Sequence, residues 1–320
     1  MTTLAIHGGA GALPRADMPA EHAAKFHAAL RQALEAGHRV LARGGASLDA
    51  VEETVGWMED CPLFNAGRGS AFTREGKNEM EASIMDGATR QAGAALLLRR
   101  VRNPVRLARL VMTRTPHITL GGEAAERFAA AQGLAFESEE YFFTPYRWAA
   151  MVKLRGTDRT ALSEDVVVPA NPGGPEAAGT VGAVAVDRAG NLAAATSSGG
   201  TTNKHAGRVG QAALVGAGVY AHNATCAVSC TGQGEAFMRS VAGYDVSALM
   251  EFSGLDLRSA AEKVIHERLP GRGGLVAVDR RGNVALPFNS EGMYRGWVDA
   301  AGQAHTAIYE TWQDWPLGAP

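Results

Sequence analysis

The chain has 320 residues, 46% of them hydrophobic, which is enough apolar material for one large domain or two ordinary ones. Its 31 basic and 33 acidic residues give a net charge of -2, which argues against a nucleic-acid binder or a membrane-surface protein. Only three cysteines are present, so we expect a reducing compartment and not a disulfide framework. The first residues lack the features of a secretory signal, and no apolar run has membrane-spanning length, so we expect a cytoplasmic location.

Helical periodicity dominates the first part of the chain, after one short strand. Residues 3–6 are expected to form a buried strand, and residues 20–44 a helix. Ser47 is expected to cap a second helix, whose apolar residues recur on one face. Pro104 at a first helical position predicts a third helix, and a fourth fits residues 123–132.

The periodicity disappears between about residue 155 and Gly179, where Pro, Gly and polar residues predominate. This composition predicts a linker. A structureless run of this length in a compact domain is usually functional or disordered. The run ends abruptly at Gly179, and a strand of small apolar residues begins after Thr180.

Two similar hairpins follow the linker, at residues 180–198 and 274–290. Both contain the pattern V-A-V-D-R-x-G-N, and the Asp, Gly and Asn of its second half predict a tight turn between two strands. Helical stretches are expected at residues 234–250 and 256–269, between the hairpins. Runs of strands and helices with hairpin connections predict a layered α/β architecture with mainly antiparallel sheets.

Common metal, nucleotide and serine-hydrolase motifs are absent from the sequence. It contains no G-x-S-x-G, no H-E-x-x-H and no paired C-x-x-C, and no two of the nine histidines have metal-ligand spacing. Cys226 and Cys230 lie on one face of a predicted strand, and we interpret them as small core residues and not as a metal or redox pair.

Three hydroxyl residues stand in Gly-rich settings: Thr180, Ser198 and Thr231. A hydroxyl nucleophile needs a base, and a threonine can use its own α-amino group if that amine is free. A free amine at Thr180 requires cleavage of the bond to Gly179, which would explain why the linker ends there. On local spacing alone, an ordinary strand start remains the alternative.

Many ordered motifs make the chain resemble the plant-type (class 2) L-asparaginases and isoaspartyl aminopeptidases. They include "IHGGAG", "CPLFNAGRGSAFT", "GTVGAVAVD", "NKHAGRVG", "SCTGQGE" and "FNSEGMYRGW", and together they cover nearly the whole chain. The resemblance implies a four-layer αββα sandwich of the N-terminal nucleophile hydrolase type. It also implies self-cleavage into residues 1–179 and 180–320, and assembly as a dimer of the resulting heterodimers.

The resemblance assigns catalytic roles to five residues. Thr180 attacks the preceding carbonyl in an N-to-O acyl shift and, once freed, attacks the substrate carbonyl while its α-amine takes the proton. Thr231 and the backbone of Gly232 match the oxyanion site, where donors must meet a negative oxygen. Ser198 matches a position that is usually Thr and hydrogen-bonds near the nucleophile, and Asn65 supports the site from the large fragment.

The resemblance also implies a substrate-binding set, which contains one departure from the family pattern. Arg208 matches the residue that grips the substrate α-carboxylate, a role that suits its planar fork. Gly232 and the backbone carbonyl of Gly234 complete the set with Gln211, which replaces the usual Asp of "GRVGDSP". Gln211 can accept a hydrogen bond from an α-ammonium but supplies no charge. We therefore expect poor turnover of free L-asparagine relative to dipeptides, and tolerance of an uncharged or modified α-amino group.

The loop at residues 58–68 resembles the structural sodium loop of the family, whose ligands are backbone carbonyls. Such a cage suits a hard cation. The candidate ligands are the carbonyls of Met58, Glu59, Cys61, Phe64, Ala66 and Arg68. No cofactor is expected for catalysis itself.

The implied activity is hydrolysis of β-aspartyl bonds in isoaspartyl dipeptides, with L-asparagine as a second substrate that yields aspartate and ammonia. Glycosylasparaginase is a rival within the fold, disfavoured by the missing signal peptide and the few cysteines. A non-catalytic homologue that is never cleaved is a rival of another class. The presence of Thr180, Thr231 and Arg208 disfavours it, whereas Gln211 keeps it open.

Overall fold

The computed structural model of the protein describes residues 2–11, 14–162 and 179–317. Its strands are β1 (Thr3–Gly11), β2 (Met80–Asp86), β3 (Ala92–Leu98), β4 (Thr119–Gly121), β5 (Val181–Val186), β6 (Leu192–Ser198), β7 (Val219–Ala221), β8 (Cys226–Gly232), β9 (Gly273–Asp279), β10 (Val284–Ala285), β11 (Gly292–Val298), β12 (Gln303–Ala307) and β13 (Trp312–Pro316). Its α-helices are α1 (Ala20–Ala42), α2 (Ser47–Asp60), α3 (Pro104–Arg114), α4 (Gly122–Ala131), α5 (Glu139–Phe142), α6 (Pro145–Leu154), α7 (Gly234–Ser240), α8 (Ala242–Ser253) and α9 (Leu257–Lys263).

The strands form two sheets. The large sheet has the order β13-β12-β11-β1-β5-β6-β2-β3-β4, and the small sheet has the order β10-β9-β8-β7. Neighbouring strands are antiparallel, except β3 and β4, which are parallel. The expectation of mainly antiparallel sheets is therefore confirmed.

The two sheets pack face to face through small and branched side chains. Ala5, Val184 and Ala194 of the large sheet belong to the same buried cluster as Val276 and Val278 of the small sheet. Helices α1, α2 and α3 contribute to the core cluster on the other face of the large sheet. Helices α8 and α9 do the same for the small sheet. The result is the four-layer αββα sandwich that the sequence implied.

Strand β5 occupies the centre of the large sheet, between β1 and β6. All of its residues are buried, which explains why it consists of valine, alanine and glycine without the alternation of a half-exposed strand. The hairpin that joins it to β6 turns at the Asp, Gly and Asn that the sequence singled out, with Gly190 at φ +79°. Thr180, which immediately precedes β5, is thereby placed at the edge of the gap between the two sheets.

The start of α2 corrects one expectation. Ser47 does not cap this helix but is its first residue, and Ala46 precedes it without a side-chain cap. The backbone N–H of Ser47 donates instead to the carboxylate of Asp187, at 3.1 Å. Asp187 lies in the β5–β6 turn, so a long-range contact replaces the local cap.

Several helix and strand ends also differ from the expected ones. Strand β1 continues to Gly11, and the helix expected over residues 234–250 is broken at Val241, whose φ is +48°. Helix α9 ends in a π-helical turn, Val264–Arg268. Of the predicted linker, residues 163–178 lie outside the described residues. Among those described, no helix is long and apolar enough to cross a bilayer.

Candidate active site

Thr180 is buried, with 8% of its surface exposed, and its hydroxyl meets the end of the neighbouring strand. Its Oγ1 lies 2.9 Å from Oγ of Ser198, the last residue of β6. Ser198 Oγ also accepts the backbone N–H of Gly200 at 2.9 Å, which fixes the serine hydroxyl from the other side. The structure thus brings together the two hydroxyls that the sequence placed at the site.

The carbonyl that precedes Thr180 is held by Asn65. The backbone N–H of Asn65 donates to the oxygen of Gly179 at 3.1 Å. The Asn65 side chain donates to the carbonyl of Gly200 at 2.6 Å and accepts the N–H of Ala71 at 2.8 Å. Asn65 therefore ties its loop to the end of β6 and polarises the carbonyl that the hydroxyl of Thr180 would attack.

A fully buried histidine, His7, contacts the backbone carbonyl of Thr180. His7 Nδ1 lies 3.0 Å from the carbonyl oxygen of Thr180, and Nε2 lies 2.7 Å from Oγ of Ser229. Because the carbonyl can only accept, Nδ1 carries the proton and Nε2 accepts from the serine. Burial lowers the pKa of His7 to about 3, so the ring is neutral near pH 7. The Oγ of Ser229 lies in turn 2.7 Å from Oγ1 of Thr196, which extends the hydrogen-bond network.

The sequence analysis missed His7, which it counted among nine scattered histidines. A usable signal was the place of His7 in the quoted motif "IHGGAG". Gly182 in "GTVG" leaves room for its ring. A Cβ on Gly182 would lie 2.5 Å from His7 Nε2 and would overlap Ser229 Oγ, so only glycine fits.

The predicted oxyanion residues come from the opposite sheet. Thr231 and Gly232 end β8 and line the same small cleft as Thr180 and Ser198. Gly232 has a φ of +138°, which glycine alone adopts without strain. With Gly179 still attached, the cavity measures about 10 Å³. A volume of this size is about the least that can hold one water molecule.

Three residues of the predicted substrate-binding set surround one point of the cleft. A Cβ on Gly234 would lie 2.6 Å from Gln211 Oε1 and 2.7 Å from Arg208 Nη2. Arg208 Nε and Nη2 each donate to the carboxylate of Glu235 at 3.0 Å. The sequence analysis missed Glu235, although it belongs to the quoted motif "SCTGQGE".

The loop that carries Arg208 and Gln211 is hydrogen-bonded to buried carboxylates of Glu81 in β2 and of Glu79, the residue before β2. Gly207 N donates to Glu79 Oε2 at 2.7 Å, and Gly210 N donates to both oxygens of Glu81 at 3.0 and 2.8 Å. Burial raises the pKa of Glu81, and burial also lowers the pKa of nearby Lys204 to about 8. These contacts were not expected from the sequence.

The predicted sodium loop is tightly curled. Gly67 has a φ of +51°, and a Cβ there would overlap the carbonyl of Glu59; a Cβ on Gly69 would overlap the carbonyl of Phe64. These glycines let the carbonyls of Glu59 and Phe64 pack closely against the loop backbone. The Glu59 side chain turns away to accept from Ser197 Oγ at 2.6 Å and from the N–H of a residue in α3 at 3.0 Å. Burial raises the pKa of this carboxyl to about 8.

The described residues contain no group of three His, Cys, Asp or Glu side chains that could hold a metal. Cys226 and Cys230 are fully buried in the core between the small sheet and its helices. Burial raises the pKa of the Cys226 thiol to about 12 and that of Cys230 further still. Both therefore behave as small apolar side chains.

Comparison with known proteins agrees with this geometry. The family model described as "Asparaginase" matches residues 1–308. The isoaspartyl peptidase of Salmonella typhimurium is 51% identical over 313 residues, which cover 96% of this chain and 98% of that protein. The isoaspartyl peptidase of Escherichia coli is 50% identical, with 96% and 95% covered. A plant-type L-asparaginase of Pyrobaculum calidifontis is 40% identical, with 93% and 97% covered.

The sandwich, the family match and the similarity to isoaspartyl peptidases together define an N-terminal nucleophile hydrolase, so the protein is an enzyme. Within that class, the chain belongs to the asparaginase family whose model spans residues 1–308. This confirms the resemblance that the sequence motifs indicated. The roles of the individual site residues stay predictions.

Proposed function

We propose that the chain cuts itself between Gly179 and Thr180, and that the cleaved enzyme hydrolyses β-aspartyl bonds of isoaspartyl dipeptides and, less well, L-asparagine. The names of the similar proteins support the substrate class. The observation that carries the proposal is the arrangement at Thr180. Its buried hydroxyl lies beside Ser198, and the carbonyl to be attacked already accepts a hydrogen bond from Asn65.

In the proposed self-cleavage, Thr180 Oγ1 bonds to the carbonyl carbon of Gly179. The bond from that carbon to the nitrogen of Thr180 then breaks, and the hydroxyl proton ends on the nitrogen. Water hydrolyses the resulting ester and leaves a carboxylate on Gly179 and a free amine on Thr180. The N–H of Asn65 stabilises the oxygen that becomes negative on the way.

In the proposed catalytic cycle, the freed amine of Thr180 takes the proton of its own hydroxyl, and Oγ1 attacks the β-carbonyl of the substrate. Thr231 and Gly232 meet the negative oxygen of the tetrahedral intermediate. The proton passes to the leaving amine, and water then releases aspartate from the acyl-enzyme. His7 donates to the Thr180 carbonyl and so holds the residue that carries both nucleophile and base.

Arg208 is proposed to bind the α-carboxylate of the substrate. Two nitrogens of Arg208 donate to Glu235, and the Arg208 side chain is only 15% exposed. The guanidinium is therefore fixed before a substrate arrives. Gln211 and the carbonyl of Gly234 are proposed to receive the α-nitrogen.

We extend the proposal to a sodium ion in the loop at residues 58–68. Oxygen donors alone would surround it, which suits a hard cation. The tight curl at Gly67 and Gly69 supports this fit, because the carbonyls of two candidate ligands, Glu59 and Phe64, lie against these glycines. The ligands would be the carbonyls of Met58, Glu59, Cys61, Phe64, Ala66 and Arg68. The ion would brace the loop that presents Asn65. A dimer of heterodimers and a cytoplasmic location also remain proposals.

The test of the proposed function is a substrate panel on cleaved protein. β-Asp-Leu, β-Asp-Arg, β-Asp-Lys and L-asparagine are incubated with the enzyme, and aspartate release is measured. We expect release from the dipeptides and slower release from L-asparagine. Cleaved protein that releases aspartate from none of them would contradict the proposal.

A further inference from the structure

The wall around Arg208 offers no free counter-charge to a substrate α-ammonium. Among the described side chains that line the cleft, Arg208 alone is charged. Two carboxyl groups near it are already engaged. Glu235 accepts from Arg208 with both oxygens, and buried Glu81 accepts the N–H of Gly210 with both of its own. An ammonium group placed here would lose its water shell without gaining a partner of opposite charge.

Gln211 instead presents one neutral acceptor. Its Nε2 lies 3.4 Å from the carbonyl of Cys230, which can only accept, so the nitrogen faces Cys230 and Oε1 faces away. Oε1 and Arg208 Nη2 both lie beside Gly234, where a Cβ would contact each of them, and both residues line the cleft. A substrate whose α-carboxylate binds Arg208 therefore has its α-nitrogen at Gln211 Oε1. The acceptors proposed for this nitrogen, Gln211 Oε1 and the carbonyl of Gly234, are both neutral, so they suit the N–H of an acylated nitrogen and offer an ammonium no opposite charge.

An acyl group on that nitrogen has space beside the cleft. A cavity of about 620 Å³ adjoins it, and Leu162 and Thr201 line both. Gln233 and Glu235, the two neighbours of Gly234, also line this side cavity. A group that extends from the nitrogen past Gly234 would therefore enter it.

The charges of the side cavity favour an acidic group. Arg159 and Arg239, whose side chains carry guanidinium groups, line it. The carboxylate in its lining, Glu235, is bound to Arg208. The described lining therefore attracts a carboxylate.

We propose that this enzyme accepts isoaspartyl residues whose α-nitrogen is acylated, as it is within a peptide, and that the acyl group lies in the side cavity, with a preference for acidic acyl groups. This inference rests on the proposed function. The reaction is the same hydrolysis: Thr180 attacks the β-carbonyl, the bond to the leaving amine breaks, and water releases N-acylaspartate.

The first experiment compares β-Asp-Leu with N-acetyl-β-Asp-Leu on the cleaved enzyme. We expect a kcat/KM about tenfold or more higher for the acetylated peptide, the factor that separates a matched neutral contact from an uncompensated charge. An equal or lower value for the acetylated peptide overturns this inference while leaving the proposed function intact. If the cleaved enzyme hydrolyses neither peptide, both this inference and the proposed function are contradicted.

Two variants of similar size test the role of charge. Gln211→Asp introduces a carboxylate and should lower the preference for the acetylated peptide by about tenfold or more, mainly by improving β-Asp-Leu. Gln211→Asn shortens the side chain equally but stays neutral, so it should still favour the acetylated peptide. An equal change in both variants shows that side-chain length matters and overturns the charge argument.

The side cavity is tested with N-succinyl-β-Asp-Leu against N-acetyl-β-Asp-Leu. Wild type should prefer the succinyl peptide severalfold, Arg239→Ala should lose much of that preference, and Arg239→Lys should keep it. If Arg239→Ala instead alters selection between β-Asp-Leu and β-Asp-Glu, with the acyl preference unchanged, the cavity holds the leaving residue and this assignment fails.

Discussion

At the residue scale, Gln211 is the proposed substrate-binding residue for which the motif resemblance indicates a change from the usual Asp. A hydrogen bond to a charged acceptor contributes roughly 1.5–3 kcal/mol and a neutral one about 0.5–1.5 kcal/mol. Free L-asparagine has few other contacts that could offset the difference. Gln211→Asp should therefore lower the KM for L-asparagine, about fivefold or more, and change kcat less. Steady-state kinetics on L-asparagine and β-Asp-Leu measure this. A KM that is unchanged or raised shows that Gln211 does not receive the α-nitrogen.

Arg208 is the residue whose loss should weaken binding of all substrates with a free α-carboxylate. Removing a buried charge-assisted contact typically costs about 2–5 kcal/mol. Arg208→Lys keeps the charge but loses the planar fork that Glu235 holds, so it should also bind more weakly. Kinetics of both variants on β-Asp-Leu test this. Unchanged kinetics in Arg208→Ala would remove the residue from the site.

His7 should make the stability of the fold depend on pH. Burial lowers its pKa from 6.5 to about 3. Between these values the unfolded chain binds a proton that the folded chain does not. The contribution of neutral His7 is therefore complete above pH 6.5 and is lost as pH falls, by about 1.4 kcal/mol per pH unit at most.

The variant His7→Asn keeps a donor for the Thr180 carbonyl but does not titrate. Its free energy of unfolding should be lower than that of wild type at pH 7.5, and the difference between the two proteins should become smaller towards pH 4.5. Urea unfolding of both proteins at these two pH values measures the difference. A difference that is constant over this range would contradict the assigned neutral state.

At the element scale, the side chains of His7 (β1) and Ser229 (β8) pack against β5 because Gly182 has no side chain. A Cβ there would lie 2.5 Å from His7 Nε2 and would overlap Ser229. Gly182→Ala should destabilise the protein by about 1–3 kcal/mol, since overpacking moves neighbours from their rotamers. Gly56→Ala in α2 is the control, because its nearest neighbour would lie at 3.7 Å, an ordinary contact. Urea unfolding should show a loss only for Gly182→Ala, and equal losses would contradict the close-approach argument.

The sequence predicted the elements that depend on local chemistry. The β5–β6 hairpin, with its Asp-Gly-Asn turn, and the helix that begins at Pro104 are found where they were expected. The expected cap at Ser47 was wrong because its partner, Asp187, lies 140 residues away in the chain. Local spacing carries no information on such contacts.

The same limit explains what was missed in the site. Thr180, Ser198 and Thr231 stood out as hydroxyls in Gly-rich motifs, and the structure places all three in one cleft. The contact of His7 with Thr180 joins residues 173 positions apart. The hydrogen bonds from Arg208 to Glu235 depend on how the loop that carries Arg208 folds onto α7. Residue types in a motif indicate chemistry, whereas partners depend on the tertiary fold.

At the scale of the whole molecule, the two predicted fragments are interwoven. Strand β5, from the small fragment, lies between β1 of the large fragment and β6. Strand β2 of the large fragment pairs with β6. The large sheet is thus continuous across the cleavage point. We therefore expect the fragments to stay associated after cleavage without a covalent link.

The cleaved protein should elute in size-exclusion chromatography with light scattering as one species that contains both fragments. The proposed dimer of heterodimers should have about twice the mass of the chain, which is 33.5 kDa. Fragments that separate without denaturant would contradict the interwoven sheet. A mass equal to one chain would contradict the dimer alone.

The central claim, that Thr180 is a nucleophile freed by its own attack, is tested most directly by intact mass spectrometry of denatured wild type and Thr180→Ala, with N-terminal sequencing of the products. Wild type should give two fragments, residues 1–179 and 180–320, the second beginning at Thr180. Thr180→Ala should remain whole and inactive on β-Asp-Leu. A different cleavage point in wild type, or cleavage that persists in Thr180→Ala, would contradict the claim.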